Sequence, residues 1–193
     1  MDNYKVVKEA ISFELANFLF NYFLLKREAV GYMYSNNWTY DNGVFGTWKD
    51  QQVPNTYSIY GDPVFDTLLM KMLPVMNRET GLDVIPTYSY ARIYKKGDIL
   101  KRHKDRPSCE ISTTLNLGGD PWSIFLEGEK VDLNVGDMLI YEGCKLEHWR
   151  EPFEGEHCGQ VFLHYNNKKG EFKDINIFDG RDKLGTPNWK HYK

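Results

Sequence analysis

Residues 92–105 read RIYKKGDILKRHKD, a strand-like run, a Lys-Gly-Asp turn, a second short run, and then His103, Lys104 and Asp105. In an extended strand, residues two apart project from the same face. Tyr88, Tyr90, Arg92 and Tyr94 therefore share one face, and His103 and Asp105 project together from a strand end. A histidine and a carboxylate on one face are two ligands of a metal site and need a third. Iron(II) in oxygen-activating enzymes is commonly held by two histidines and one carboxylate, with the remaining positions open.

The surroundings of this stretch settle the fold class. From about residue 84 the chain becomes a series of short strand-like runs: DVIPTYSYARIYKKGD (83–98), CEISTTLNLGGD (109–120), WSIFLEGEKVDLNVGD (122–137), MLIYEGCKLEHWRE (138–151) and GQVFLHYNN (159–167). Gly-Asp, Gly-Gly-Asp and Glu-Gly turns separate them. Many short strands after helices predict a mainly β (α+β) protein, an antiparallel sandwich or barrel with helices packed outside.

Before the strands, YKVVKEAIS (4–12) reads as a short strand leading to Ser12. Phe13, Ala16, Phe20, Phe23 and Leu24 then recur at helical spacing, with Ser12 as N-cap and Glu14 in the first turn, which predicts a helix over about 12–33. A second helix is expected over about 62–80, capped by Asp62, started by Pro63 and stopped by Gly81. Residues 35–60, rich in Asn, Gly and aromatics, read as a long loop with a candidate hairpin at YDNGVF (40–45), either a lid or a packing element. The expectation is one domain over residues 1–193, with a β core at about 84–166 and a tail at 167–193 whose FKDINIFDGRDKLGTPNW segment is a second candidate cover for a substrate.

Composition narrows the function classes. The chain has 193 residues, 26% charged, with a net charge of -3, so a basic nucleic-acid groove is not favoured. The 13 Tyr, 11 Phe and 5 Trp suit a β-rich body. No apolar run is long enough to span a membrane, the N-terminus lacks a signal-peptide layout, and Cys109, Cys144 and Cys158 are odd in number and far apart. These features point to a cytoplasmic protein without a disulfide framework and without a CxxC-type zinc site.

The third metal ligand must be a second histidine. Among His148, His157, His164 and His191, His148 is the first candidate, because a Gly-Asp turn at 136–137 starts a strand and the following loop delivers His148 onto the next; His157 and His164 are fallbacks. RIYKKGDILKRHKD followed by GDMLIYEGCKLEHWREPFEG (136–155) resembles the iron(II)- and 2-oxoglutarate-dependent dioxygenases of the prolyl-4-hydroxylase type. Tyr94, Gly97, His103, Asp105, Gly136, Asp137, Leu139, His148 and Pro152 fit that pattern in order. The resemblance covers about residues 84–165. It implies a double-stranded β-helix, a jelly-roll (cupin-like) fold with flanking N-terminal helices, and His103, Asp105 and His148 as iron ligands. It also implies Fe(II), 2-oxoglutarate and O2 as cofactor and cosubstrates, ascorbate as a reductant, and hydroxylation of a C–H bond coupled to decarboxylation of 2-oxoglutarate to succinate.

One part of the pattern is missing. The family's Arg or Lys about ten residues after the distal histidine, which anchors the distal carboxylate of 2-oxoglutarate, has no counterpart in GEHCGQ (155–160). Arg150, two residues after His148, is the first substitute, because a strand there points it into the same cavity. Tyr94 is its expected hydrogen-bonding partner and Arg92 the second choice; His157, Gln160 and Thr114 complete the candidate cosubstrate contacts. The competing expectation for Arg150 is a surface pair with Glu147 or Glu151. Arg106 is expected to orient Asp105, pair with Glu110 or contact substrate, and Trp149 to face away from the metal. The substrate class implied is a peptide, amino acid or small molecule. Two further readings stay open: a cupin-like metalloprotein that does not use 2-oxoglutarate, and a non-enzymatic jelly-roll binding module.

Overall fold

The computed structural model describes residues 4–187. Ten strands form two facing antiparallel sheets. The larger has six strands in the order β1 (Tyr4–Val7), β8 (Met138–Tyr141), β5 (Ile111–Gly119), β10 (His157–Asn167), β3 (Val84–Lys95) and β2 (Tyr57–Tyr60). The smaller has four, in the order β4 (Leu100–His103), β9 (His148–Arg150), β6 (Ile124–Leu126) and β7 (Glu129–Val131). Consecutive strands of the β core thus mostly cross between sheets, which is the jelly-roll layout that the resemblance implies and a form of the sandwich expected from the strand succession.

Period-two alternation divides the larger sheet into two different faces. Ala91, Ile93, Leu115, Leu117, Met138, Ile140, Val161 and Leu163 point one way and pack under the helices. Tyr88, Tyr90, Arg92, Tyr94, Tyr141, Phe162 and His164 point the other way, toward the smaller sheet, and line a cavity between the two. The apolar face makes the core, and the polar and aromatic face makes the site.

Helix α1 (Phe13–Ser35) runs across the outer face. Ser12 caps it by accepting a hydrogen bond from the Leu15 amide at 3.3 Å, and Ala16, Leu19, Phe23 and Val30 form its buried stripe. Gly159 lets this helix approach: a Cβ there would lie 2.5 Å from the Phe20 ring. Phe23 packs edge-on against Phe65, 5.1 Å between ring centroids.

The helix expected over about 62–80 is two helices, α2 (Pro63–Lys71) and α3 (Leu73–Thr80). Pro74 has no amide hydrogen to donate back to Met70, so the helix breaks there. The ends are as expected: Asp62 accepts from the Val64 and Phe65 amides, and Gly81 closes α3 in the left-handed region at φ 71°.

The 35–60 segment also differs from the expected loop. Its YDNGVF stretch makes a tight turn, with the Gly46 amide donating to the Gly43 carbonyl. Its end is strand β2, which adds an edge to the larger sheet through β3. Four residues, Tyr57–Tyr60, are too few for a strand period to stand out in the sequence. The tail packs back on the body: Arg181 bonds Asp66 at 2.8 Å, and both side chains are at most 2% exposed. Asn188, Trp189 and His191 lie outside the described residues.

Candidate metal centre

Strands β4 and β9 pair with His103 opposite His148, which brings residues 45 apart in sequence into contact. The rings lie 4.2 Å apart between centroids. Just beyond β4 the chain turns inward, and the Asp105 amide donates to the Gly143 carbonyl at 2.9 Å. Oδ1 of Asp105 then lies 3.5 Å from Nε2 of His148 and 3.6 Å from Nε2 of His103. Gly143 has to be glycine, because a Cβ there would collide with Oδ2 of Asp105 and the Ser112 hydroxyl.

The histidine tautomers follow from their outer nitrogens. Nδ1 of His103 lies 2.8 Å from the Lys101 carbonyl, and Nδ1 of His148 lies 3.1 Å from the Leu146 carbonyl. A carbonyl can only accept, so each Nδ1 carries a hydrogen, and each Nε2 is the atom that faces Asp105 and is free to ligate a metal once it is without a proton. This is the donor set that a divalent metal requires, with the outer hydrogen bonds orienting the ligands.

Asp105 is almost wholly enclosed. Burial alone would raise its pKa, but hydrogen bonding and charge from His148, the charge of His164 and the Ser112 hydroxyl outweigh burial and bring it down to about 2. The carboxylate is therefore ionised across the neutral range. Burial, followed by the charge of His148, lowers the pKa of His103, which keeps it neutral and able to bind metal.

The cavity holds about 280 Å³ and is lined by the three candidate ligands together with Arg92, Tyr94, Tyr141 and other side chains. Arg92 is only 1% exposed and pairs with Asp50 at 2.6 Å. Its guanidinium also lies 3.4 Å from the Tyr94 hydroxyl and 3.1 Å from Oε1 of Gln52. Gln52 reaches one candidate ligand directly, with Nε2 3.0 Å from Nε2 of His103.

Arg150 lies on β9 beside His148, 1% exposed, and does not pair with Glu147 or Glu151 at the surface. It donates to the Trp122 carbonyl at 2.5 Å, approaches the Thr114 hydroxyl at 3.5 Å and stacks on Trp122. Thr114 in turn donates to Oε1 of Gln160 at 3.1 Å. Arg150, Thr114 and Gln160 thus form one buried cluster on the inner sheet faces, although they are not among the residues lining the 280 Å³ cavity. Nε of Arg150 has no partner, and no described carboxylate forms an ion pair with Arg150. A buried guanidinium with no counter-ion is costly unless an anion completes it. The cluster therefore offers donors that a small anion such as a carboxylate could complete.

Other candidates lie elsewhere. His157 is exposed at the head of β10, opposite Lys95 and outside the cavity. Arg106 pairs with Asp179 at 2.6 Å rather than with Glu110, and it stacks on Tyr88. Trp149 turns outward, as strand alternation predicts, and stacks on Phe125 at 5.4 Å. Glu110 accepts from the Asn167 amide. Sequence reasoning missed Asp50 and Gln52, which a loop of no regular period delivers, and the Ser112–His164 pair behind Asp105. Ser112 lies at the even positions of β5, facing inward with Thr114, and that alternation is the signal that could have found it.

No known family's sequence profile matches the chain, and no curated protein sequence does. Solved structures do match. A Pseudomonas putida prolyl-4-hydroxylase is 15% identical and superposes with a TM-score of 0.60 over 86% of this chain and 92% of its own. The viral collagen prolyl hydroxylase of Paramecium bursaria Chlorella virus-1, solved as a 2OG complex, is 13% identical, with a TM-score of 0.61 over 85% and 96%. HygX from Streptomyces hygroscopicus, with nickel and 2-oxoglutarate bound, is 12% identical, with a TM-score of 0.58 over 86% and 84%. Sheet order, flanking helices and backbone match together give this chain the double-stranded β-helix fold of these 2-oxoglutarate–iron(II) oxygenase structures.

Proposed function

We infer that this chain is an iron(II)- and 2-oxoglutarate-dependent dioxygenase that hydroxylates a peptide or amino-acid-like substrate. The observation that carries the reading is the convergence of Nε2 of His103, Nε2 of His148 and Oδ1 of Asp105 at 3.5–3.6 Å from histidine to carboxylate. Cis ligands at bonds of about 2.1 Å stand roughly 3 Å apart in an octahedron, so small side-chain shifts complete the site. Bound iron with its cosubstrate would supply the oxidation of a C–H bond, coupled to loss of carbon dioxide from 2-oxoglutarate. The chain's own share is threefold. His103, His148 and Asp105 hold the metal on one side. Arg150, with Thr114 beside it, takes the distal carboxylate of 2-oxoglutarate, and Tyr94 hydrogen-bonds nearby. Ile124, Tyr141 and Phe162 wall the cavity against water.

A second reading keeps the metal and drops 2-oxoglutarate: a cupin-like metalloprotein. It draws on one observation, that the Arg150 cluster stands outside the lining of the 280 Å³ cavity. One experiment separates the two. Anaerobic addition of iron(II) and then 2-oxoglutarate should give a visible charge-transfer band that vanishes in His103→Ala and His148→Ala. Tight metal binding with no band and no succinate on exposure to oxygen would favour the second reading. Absence of metal binding would leave a binding module.

A further inference from the structure

Asp105 presents its two oxygens to two different sets of ligands. Oδ1 faces His103 and His148, while Oδ2 accepts from Ser112 at 2.7 Å on the opposite side. Behind Ser112 stands His164, 5% exposed, with Nδ1 3.1 Å from the same hydroxyl. Beside it is Cys109, 2% exposed, with Sγ 3.0 Å from the Tyr88 hydroxyl. A ligand atom of Asp105, Sγ of Cys109 and a ring nitrogen of His164 all lie within 4.8 Å of one another.

We propose that Asp105, Cys109 and His164 form a second metal site, selective for a thiophilic d10 divalent cation of the zinc class and sharing Asp105 with the first. Thiolate and imidazole are the ligands that zinc and cadmium prefer, whereas the first site offers only nitrogen and oxygen. In a tetrahedral shell with bonds of about 2.0–2.3 Å, ligand atoms stand roughly 3.3–3.7 Å apart. The three side chains therefore close by at most about 1.5 Å, which χ rotations can supply. On binding, the sulfur–metal bond forms as the Cys109 thiol proton leaves to solvent, and no electron is transferred. Tyr88 gives up its contact with sulfur, and a water or the Ser112 hydroxyl fills the fourth position. Cysteine spacing in the sequence argues against any thiol site, because a CxxC pair is missing; here the fold supplies the partners from β10 and from the end of β4 instead.

Cobalt(II) tests the site directly, since a thiolate ligand gives it a near-ultraviolet charge-transfer band. The titration uses the full chain with the metal alone and does not depend on any oxygenase activity. The band should appear in wild type, in the His103→Ala/His148→Ala double variant and in Cys144→Ser. It should vanish in Cys109→Ser, and His164→Gln should weaken cobalt binding at least 10-fold. Absence of the band from the folded double variant, or its persistence in Cys109→Ser, would overturn the site. Should Cys109→Ser fail to fold, His164→Gln decides: unchanged cobalt affinity in that variant refutes the proposal.

Discussion

Ser112 donates its hydroxyl to Oδ2 of Asp105 at 2.7 Å, and this leaves Oδ1 of the same carboxylate facing both histidines. Hydrogen bonds behind a ligand fix its orientation, and losing one typically costs 10–100-fold in metal affinity, here expected to be about 10-fold or more. Ser112→Ala should therefore weaken metal binding by that factor in calorimetry while leaving the fold intact by circular dichroism. Unchanged affinity would remove Ser112 from the site.

Gln52 works in the opposite direction. Its amide nitrogen sits 3.0 Å from Nε2 of His103, the lone pair that a metal needs. Metal binding must break this contact, and a net hydrogen bond is worth about 0.5–1.5 kcal/mol. Gln52→Ala should tighten metal binding by roughly 2- to 13-fold. Looser binding in Gln52→Ala would mean that Gln52 helps to build the site rather than guarding it.

Arg150 and Arg92 can be separated by their effects on 2-oxoglutarate. Only Arg150 lacks a carboxylate partner among the described residues, whereas Arg92 already has Asp50. A buried charge-assisted pair lost on truncation costs about 2–5 kcal/mol. Arg150→Gln should therefore raise the 2-oxoglutarate Kd by at least about 30-fold with metal binding unchanged. If Arg92→Gln instead produces that effect, the anchor is Arg92.

The metal-free protein should lose stability in mild acid because of His164. Burial lowers the pKa of His164 to about 4, against an ordinary value of 6.5. The unfolded chain therefore binds a proton between pH 6.5 and 4 that the folded chain does not, and stability falls as pH drops through that window. A depression of that size corresponds to ~3 kcal/mol at most. Urea denaturation at pH 7 and pH 4.5 should show this loss, and His164→Gln should flatten it. Asp105 adds a second loss at lower pH, as the solution falls from 3.8 toward 2 and the depressed carboxylate takes up its proton.

Arg181 tests how firmly the tail is tied to the body. It pairs with Asp66 at 2.8 Å with both side chains buried. Truncation removes the counter-ion of the buried Asp66 carboxylate, which keeps its hydrogen bonds from Ser89 and the Gly185 amide, at a cost of up to about 3–5 kcal/mol. Arg181→Ala should lower the urea midpoint accordingly, with an unchanged m-value. A loss below about 0.5 kcal/mol would place the pair among weakly coupled surface contacts.

The sequence by itself determined the elements whose signals are local. Strand alternation over 83–98 and 109–120 marks the inner and outer faces of the larger sheet, since neighbouring side chains must point oppositely. Ser12, Asp62 and Gly81 mark helix ends, because each supplies or frees a backbone group within a few residues. The His103–Asp105 spacing and the position of His148 after a Gly-Asp turn single out the candidate ligands without any knowledge of which strands pair. What only the tertiary structure decided were relationships between residues far apart in the chain. Pairing of β4 with β9 sets His103 opposite His148, and no local pattern encodes that pairing. A loop without periodicity carries Gln52 to His103, and strand β10 brings His164 to Asp105. Cys109 reads in the sequence as a lone cysteine, and it gains metal-ligating neighbours only when the sheets close over it. Burial decided the rest, because the fold removes Arg150 from water and gives it no carboxylate partner among the described residues.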